Sequence, residues 1–172
     1  MIKLLDKNGG ITMKAAIIMG SDSDYNVVEK TEKILEEFGV ACEMRIMSAH
    51  RTPYQAEAFA KNAEKYGVEV IIGAAGKAAH LPGVLAAFTP LPIIGLPIKS
   101  STMDGLDSLL SIVQMPKGVP VATVAINGAE NAALLAVQIM SVKYPELREK
   151  MKAYKKKMEQ EVIEKDAKFQ KR

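Results

Sequence analysis

The chain predicts an open α/β fold on a parallel sheet, and three observations carry that prediction. Short apolar runs alternate with segments whose apolar residues recur every three to four positions. The first run, Ala15 to Met19, is continuously apolar, as a strand buried on both faces is. Apolar volume comes from Ala, Val, Ile, Leu and Met. Aromatics make up 5% of the chain and Trp is absent, which suits helices stacked over such a sheet.

Residues 1–13 read as a loose N-terminal extension broken by Asn8-Gly9-Gly10, with Met13 a candidate translation start. After the first strand a helix is expected from about Asp24 to Phe38. Its buried stripe is Val27, Val28, Thr31, Ile34, Leu35 and Phe38, and Gly39 ends it. Cys42, Met44 and Ile46 alternate with Glu43 and Arg45, the pattern of an edge strand with one solvated face. Thr52-Pro53 reads as a cap with proline at the first helical position, opening a helix lined by Ala56, Phe59, Ala60 and Ala63. Val68 to Ala74 and Ile93 to Ile98 are the third and fourth strands. Leu106 to Val113 is a short helix, Val121 to Ile126 the fifth strand, and Asn131 to Met140 a helix apolar nearly all round, hence buried. Repeated βα units imply right-handed crossovers. Five strands with the second at an edge fit the flavodoxin-like order 2-1-3-4-5, a three-layer sandwich over residues 14–142. The 172 residues make a single domain. From Pro145 to about residue 168 a charged helical arm carries Leu147, Met151, Tyr154, Met158 and Val162 at three- to four-residue spacing. It is either a surface helix on its own domain or an arm docked on a neighbouring subunit.

The formal charge of +3 is mild, and much of the Lys excess lies in the tail beside Glu, so no nucleic-acid partner is expected. Cys42 is the only cysteine, which excludes an intrachain disulfide, and the histidines lack metal-ligand spacing, so no metal is expected. The N-terminus lacks a signal-peptide core and no apolar run can span a bilayer, so a cytoplasmic protein is expected.

The two histidines each follow a strand-like run, where open α/β folds place ligands. His50 lies in Ser48-Ala49-His50-Arg51-Thr52-Pro53, which joins a proton carrier to an anion clamp. His80 lies in Gly76-Lys77-Ala78-Ala79-His80-Leu81-Pro82-Gly83. Gly20-Ser21-Asp22-Ser23-Asp24 opens a helix and offers amides and hydroxyls to phosphate oxygens. It is neither a Walker A loop nor a dinucleotide fingerprint. Each feature has a plainer reading. Ser21 or Asp24 can be a helix cap, Arg51 a surface ion pair, His80 a cap or packing residue, Asn127 another cap, and Lys77 an exposed lysine. Convergence favours the chemical reading, because all these loops leave one edge of one sheet.

In order and spacing, these three segments closely resemble the class I 5-(carboxyamino)imidazole ribonucleotide mutases of purine biosynthesis, the family of the phosphoribosylaminoimidazole carboxylase catalytic subunit. Gly105-Leu106-Asp107-Ser108-Leu109 and Ile112-Val113-Gln114-Met115-Pro116 extend the likeness, which runs from about residue 14 to the tail helix. The resemblance implies a flavodoxin-like fold, a homo-octamer with sites between subunits, and a small ribonucleotide substrate. It implies an isomerase converting 5-carboxyamino-1-(5-phospho-D-ribosyl)imidazole to 5-amino-1-(5-phospho-D-ribosyl)imidazole-4-carboxylate, with no cofactor. It assigns His50 as acid/base, Ser21, Asp24 and Arg51 as substrate contacts, and Ser23, Ser48, Gly76, His80 and Leu81 as further pocket residues. Two segments depart from the family pattern. Lys77 stands where many members carry a small residue, and Ile126-Asn127-Gly128-Ala129-Glu130-Asn131 is shorter than the Gly-Lys-Ala-Gly version of some relatives. The nearest alternative is a class II aminoimidazole ribonucleotide carboxylase using free carbon dioxide, against which Arg51-Thr52-Pro53 and His80-Leu81-Pro82-Gly83 speak. A non-catalytic phospho-acceptor module would need an Asp past the third strand, where Ala and Gly stand instead.

Overall fold

The structure, a computed structural model, describes residues 13–171, so the expected loose extension lies, but for Met13, outside the described residues. Five parallel strands run in the order β2-β1-β3-β4-β5. They are β1 (Lys14–Met19), β2 (Ala41–Ile46), β3 (Val70–Ala75), β4 (Ile93–Pro97) and β5 (Ala122–Thr123). The helices are α1 (Tyr25–Phe38), α2 (Pro53–Asn62), α3 (Leu81–Phe88), α4 (Leu106–Val113), α5 (Ala129–Met140) and α6 (Pro145–Phe169). This is the flavodoxin-like sandwich, with the C-terminal helix added to one layer.

The apolar strands divide their residues between two cores by the period of two. Ala15, Ile17, Met19, Ile72, Ala74, Ile94 and Leu96 face α1, α5 and the start of α6. Ala16, Ile18, Ile71, Ala75 and Ile93 face α2, α3 and α4. Gly39 ends α1 at φ 77, where a Cβ is disfavoured. Gly95 lets α4 lie directly on β4, because a Cβ there would overlap Ile112 Cγ2. Across the first core, the buried Thr31 hydroxyl donates to the Ala129 carbonyl at 3.0 Å and ties α1 to α5. Among the described residues, no helix is long and apolar enough to cross a membrane.

Four expectations need correction. β5 shrinks from Val121–Ile126 to two paired residues. At an edge with one neighbour the chain turns away at Ala125–Gly128, with Asn127 at φ 57, although Val124 and Asn127 still donate to the Gly95 and Pro97 carbonyls. Ile46 is exposed despite the alternating pattern, at the last rung of an edge strand whose ladder partner is β1. Asn127 is not a cap. Gly128 holds that place on α5, and the Asn127 side chain accepts from Lys99 N–H instead. The apolar stripe of α6 divides into two parts. Leu147 and Met151 are buried and Tyr154 packs on Phe38 with centroids 5.8 Å apart, whereas Met158 and Val162 are 43% and 65% exposed. The inner turns of α6 thus belong to their own core, so the arm is not wholly a docking element.

Candidate active site

Each loop at the carboxyl edge of the sheet starts from a strand residue fixed by the ladder. Gly20 N–H donates to Ala74 O, Met47 N–H to Met19 O, and Ile98 N–H to Ala75 O. The loops after β1, β2, β3 and β4 therefore leave side by side and enclose a cleft of about 470 Å³. That volume is within the usual range for a small-molecule site.

In the first loop, Ser21 Oγ accepts from Ser23 N–H at 3.3 Å and from Ser23 Oγ at 3.0 Å, so serine, not Asp24, caps this turn. Asp24 makes no capping bond and is buried at the foot of the cleft. Burial pushes its carboxyl above the usual range, opposed by hydrogen bonds from the Ser23 side chain and the backbone at Ser21. In the second loop, Ser48 N–H donates to Thr52 Oγ1 and Thr52 N–H to Ser48 O, both at 2.9 Å, while Arg51 N–H donates to Ser48 Oγ at 3.2 Å. This closed turn presents His50. Arg51 Nη2 donates to Gly20 O at 2.9 Å, so the guanidinium bridges the first two loops rather than pairing with a surface acid.

In the third loop Ala78 adopts φ 47, a left-handed conformation uncommon for a residue with a side chain. His80 follows, immediately before α3, and makes no side-chain capping bond. Its ring meets His50 instead, Nδ1 to Nε2 at 2.9 Å. The fourth loop adds Lys99, Ser100 and Ser101. Lys99 N–H donates to Asn127 Oδ1 at 2.8 Å, and its ammonium pairs with Asp104 at 2.8 Å.

All nine residues singled out from sequence line this one cleft: Ser21, Ser23, Asp24, Ser48, His50, Arg51, Gly76, His80 and Leu81. Lys77 lines it too, exposed, in keeping with its loop position. Lys99, Ser100 and Ser101 were missed. Their signal was present, since a polar run follows the fourth strand at the same edge as the other three loops. The cleft lining carries Arg51, Lys77 and Lys99, the last paired with Asp104, against one buried acid, Asp24, a balance that suits an anionic ligand. A hydroxyl-rich turn and a bridging guanidinium stand beside two imidazoles, so the cleft can hold a phosphate and move a proton within one small molecule. Among the described residues, no group of three His, Cys, Asp or Glu side chains is arranged to hold a metal ion.

Among known proteins, the chain is 60% identical over 152 residues to the N5-carboxyaminoimidazole ribonucleotide mutase of Thermotoga maritima, covering 88% of this chain and 89% of that one. It is 62% identical over 149 residues to the enzyme of the same name from Pyrococcus horikoshii, covering 87% and 84%. Among solved structures, the crystal structure of Treponema denticola PurE superposes with a TM-score of 0.83 at 33% identity, covering 90% of this chain and 97% of that one. The AIR carboxylase family matches residues 14–161, and the chain belongs to that family.

Proposed function

We propose that the chain is a class I N5-carboxyaminoimidazole ribonucleotide mutase acting in purine biosynthesis, with its active site in the cleft at the carboxyl edge of the sheet. The observation that carries the site is the meeting of four loops there, with Arg51 bonded across to Gly20 and His50 held against His80. The identity of the relatives named as mutases supports the reaction.

Arg51 and the hydroxyls of Ser21, Ser23 and Ser48 would hold the phosphate, and Asp24 the ribose hydroxyls. Gly76 and Leu81 would line the space around the imidazole. In the reaction the bond between the exocyclic nitrogen and its carboxylate breaks, releasing carbon dioxide, and His50 gives that nitrogen a proton. The free amine makes the neighbouring ring carbon nucleophilic. That carbon attacks the trapped carbon dioxide and then loses its own proton, which His50 takes back. Net proton change is zero, so one imidazole serves both halves. Fixing the phosphoribosyl end keeps ring and carbon dioxide aligned between the two steps.

The chain acts as one domain and as a homo-oligomer, on this reading an octamer in the cytoplasm. Two exposed apolar rows support assembly: Leu106, Leu110 and Val113 on α4, and Met158, Val162 and Ile163 on outer α6. A closed symmetric oligomer buries such rows.

The reaction is tested by supplying the carbamate substrate without bicarbonate and following the carbon-linked carboxylate. Turnover under those conditions is expected. If the enzyme turned over only the decarboxylated amine plus bicarbonate, it would be the class II carboxylase instead.

A further inference from the structure

His50 Nε2 and His80 Nδ1 lie 2.9 Å apart, with ring centroids 5.0 Å apart and planes at 73°. At that distance one nitrogen donates and the other accepts, and two N–H groups cannot face each other. The contact therefore occupies one nitrogen of each ring, and Nδ1 of His50 and Nε2 of His80 take no part in it. Both rings are held from the backbone. His50 sits in the turn closed by Ser48 and Thr52. His80 follows the left-handed Ala78, and its own N–H donates to Ala78 O at 2.7 Å.

We propose that His80 is a positioning residue for the mutase proton transfers: its Nδ1 accepts the Nε2–H of His50, leaving Nδ1 of His50 as the nitrogen that exchanges a proton with substrate. This rests on the mutase reading of the cleft. The polarity follows from what His50 must do. To give a proton to the exocyclic nitrogen, His50 must first be an imidazolium, with protons on both nitrogens. Its Nε2–H then has to be the donor, and His80 has to be neutral with Nδ1 bare. After His50 Nδ1 has given up its proton, Nε2–H stays on His80, and the bare Nδ1 is the base that takes the proton from the ring carbon. One arrangement serves both halves without rotation of either ring. The opposite polarity would set His80 Nδ1–H against His50 Nε2 and exclude the imidazolium while the contact lasts. A charge-assisted bond also favours the protonated form that starts the cycle, and an oriented base is the usual partner arrangement in proton-transfer sites.

The chain has two histidines, so nitrogen-15-labelled histidine reads the pair directly. Solid-state NMR of the intact assembly with both rings neutral should show each ring protonated on Nε2, with His80→Asn assigning the signals. Both rings protonated on Nδ1 would overturn the inference. In kinetics, His80→Leu should lower kcat by about tenfold to a hundredfold, a modest share of general acid–base catalysis. KM should move by less than about threefold, and His80→Asn, whose Oδ1 can replace the acceptor, should recover at least about fivefold of the loss. Unchanged kcat in His80→Leu, or no recovery in His80→Asn, would also overturn it. Absence of mutase turnover in the wild-type enzyme would instead refute the functional reading, and the NMR result would still decide the polarity.

Discussion

The cleft and the outer half of α6 both stand at the surface with conspicuous side chains, yet only the cleft is built. There, contacts between distant parts of the chain fix each group: Arg51 to Gly20 O, His50 to His80, and Lys99 N–H to Asn127. Beyond Tyr154, the polar contacts of α6 are local. Lys157 pairs loosely with Glu161 at 4.0 Å, Gln160 donates to Glu164, and Met158, Val162, Ile163 and Phe169 lie open to water. Long-range bonds between loops hold a geometry that chemistry can use. Pairs along one helix hold only the helix, and exposed i,i+4 pairs contribute little. An apolar row without a built surround is a surface that wants a cover.

The comparison can be broken at either end, and the largest effect belongs to the cleft. His50→Asn should cut turnover by at least ~100-fold while a ribonucleotide still binds, since it removes the proton carrier and leaves the phosphate grip. Activity within about tenfold of wild type would detach the chemistry from His50. Next come the two parts of α6. Leu147→Ala should cost about 2–5 kcal/mol of stability, as loss of a fully buried leucine does. Ending the chain after Tyr154 should leave the protomer's unfolding nearly unchanged and lower the oligomer mass in light scattering. A truncated protein of full mass and full activity would make outer α6 a plain surface helix.

Arg51→Ala should weaken substrate binding by about tenfold to a hundredfold, the range of a lost charge-assisted hydrogen bond, with kcat less affected. An unchanged dissociation constant in calorimetry would remove Arg51 as the phosphate clamp. The smallest effect sharpens the picture from inside the cleft. Burial raises the Asp24 carboxyl above its ordinary 3.8, so the folded protein holds that proton more tightly than the unfolded chain does. Its contribution to stability is full below the unfolded value and is lost as pH rises through the folded one. Asp24→Asn should therefore raise the Tm at neutral pH, because it removes the buried charge. The gap should close below about pH 4, and substrate binding should weaken. A lower Tm at pH 7 would mean the carboxylate stabilises the fold.

Much of this was legible because it depends on local pattern plus topology. Continuous apolar runs mark β1, β3 and β4, and the alternation at Cys42 to Ile46 places β2 at the edge, which fits the strand order found. That order alone brings the first three loops together. The limits of β5 were not legible, because Val121 to Ile126 is apolar throughout but for Thr123. Only pairing at a sheet edge, and the left-handed Asn127, decide where the ladder stops. The contact of His50 with His80 was equally hidden. It joins residues on loops after β2 and β3, strands that flank β1 without pairing with each other. The division of α6 lay beyond periodicity, which marks an apolar stripe without saying what covers each turn.

The central claim is that the four loops at the carboxyl edge form one ribonucleotide site with a fixed direction. A crystal structure with the 4-carboxylate ribonucleotide bound tests it most directly. The account predicts the phosphate on Arg51 and the Ser21 turn, with the imidazole carboxylate beside His50. A ligand seated outside the cleft, or one reversed so that its phosphate meets the histidines, would contradict it.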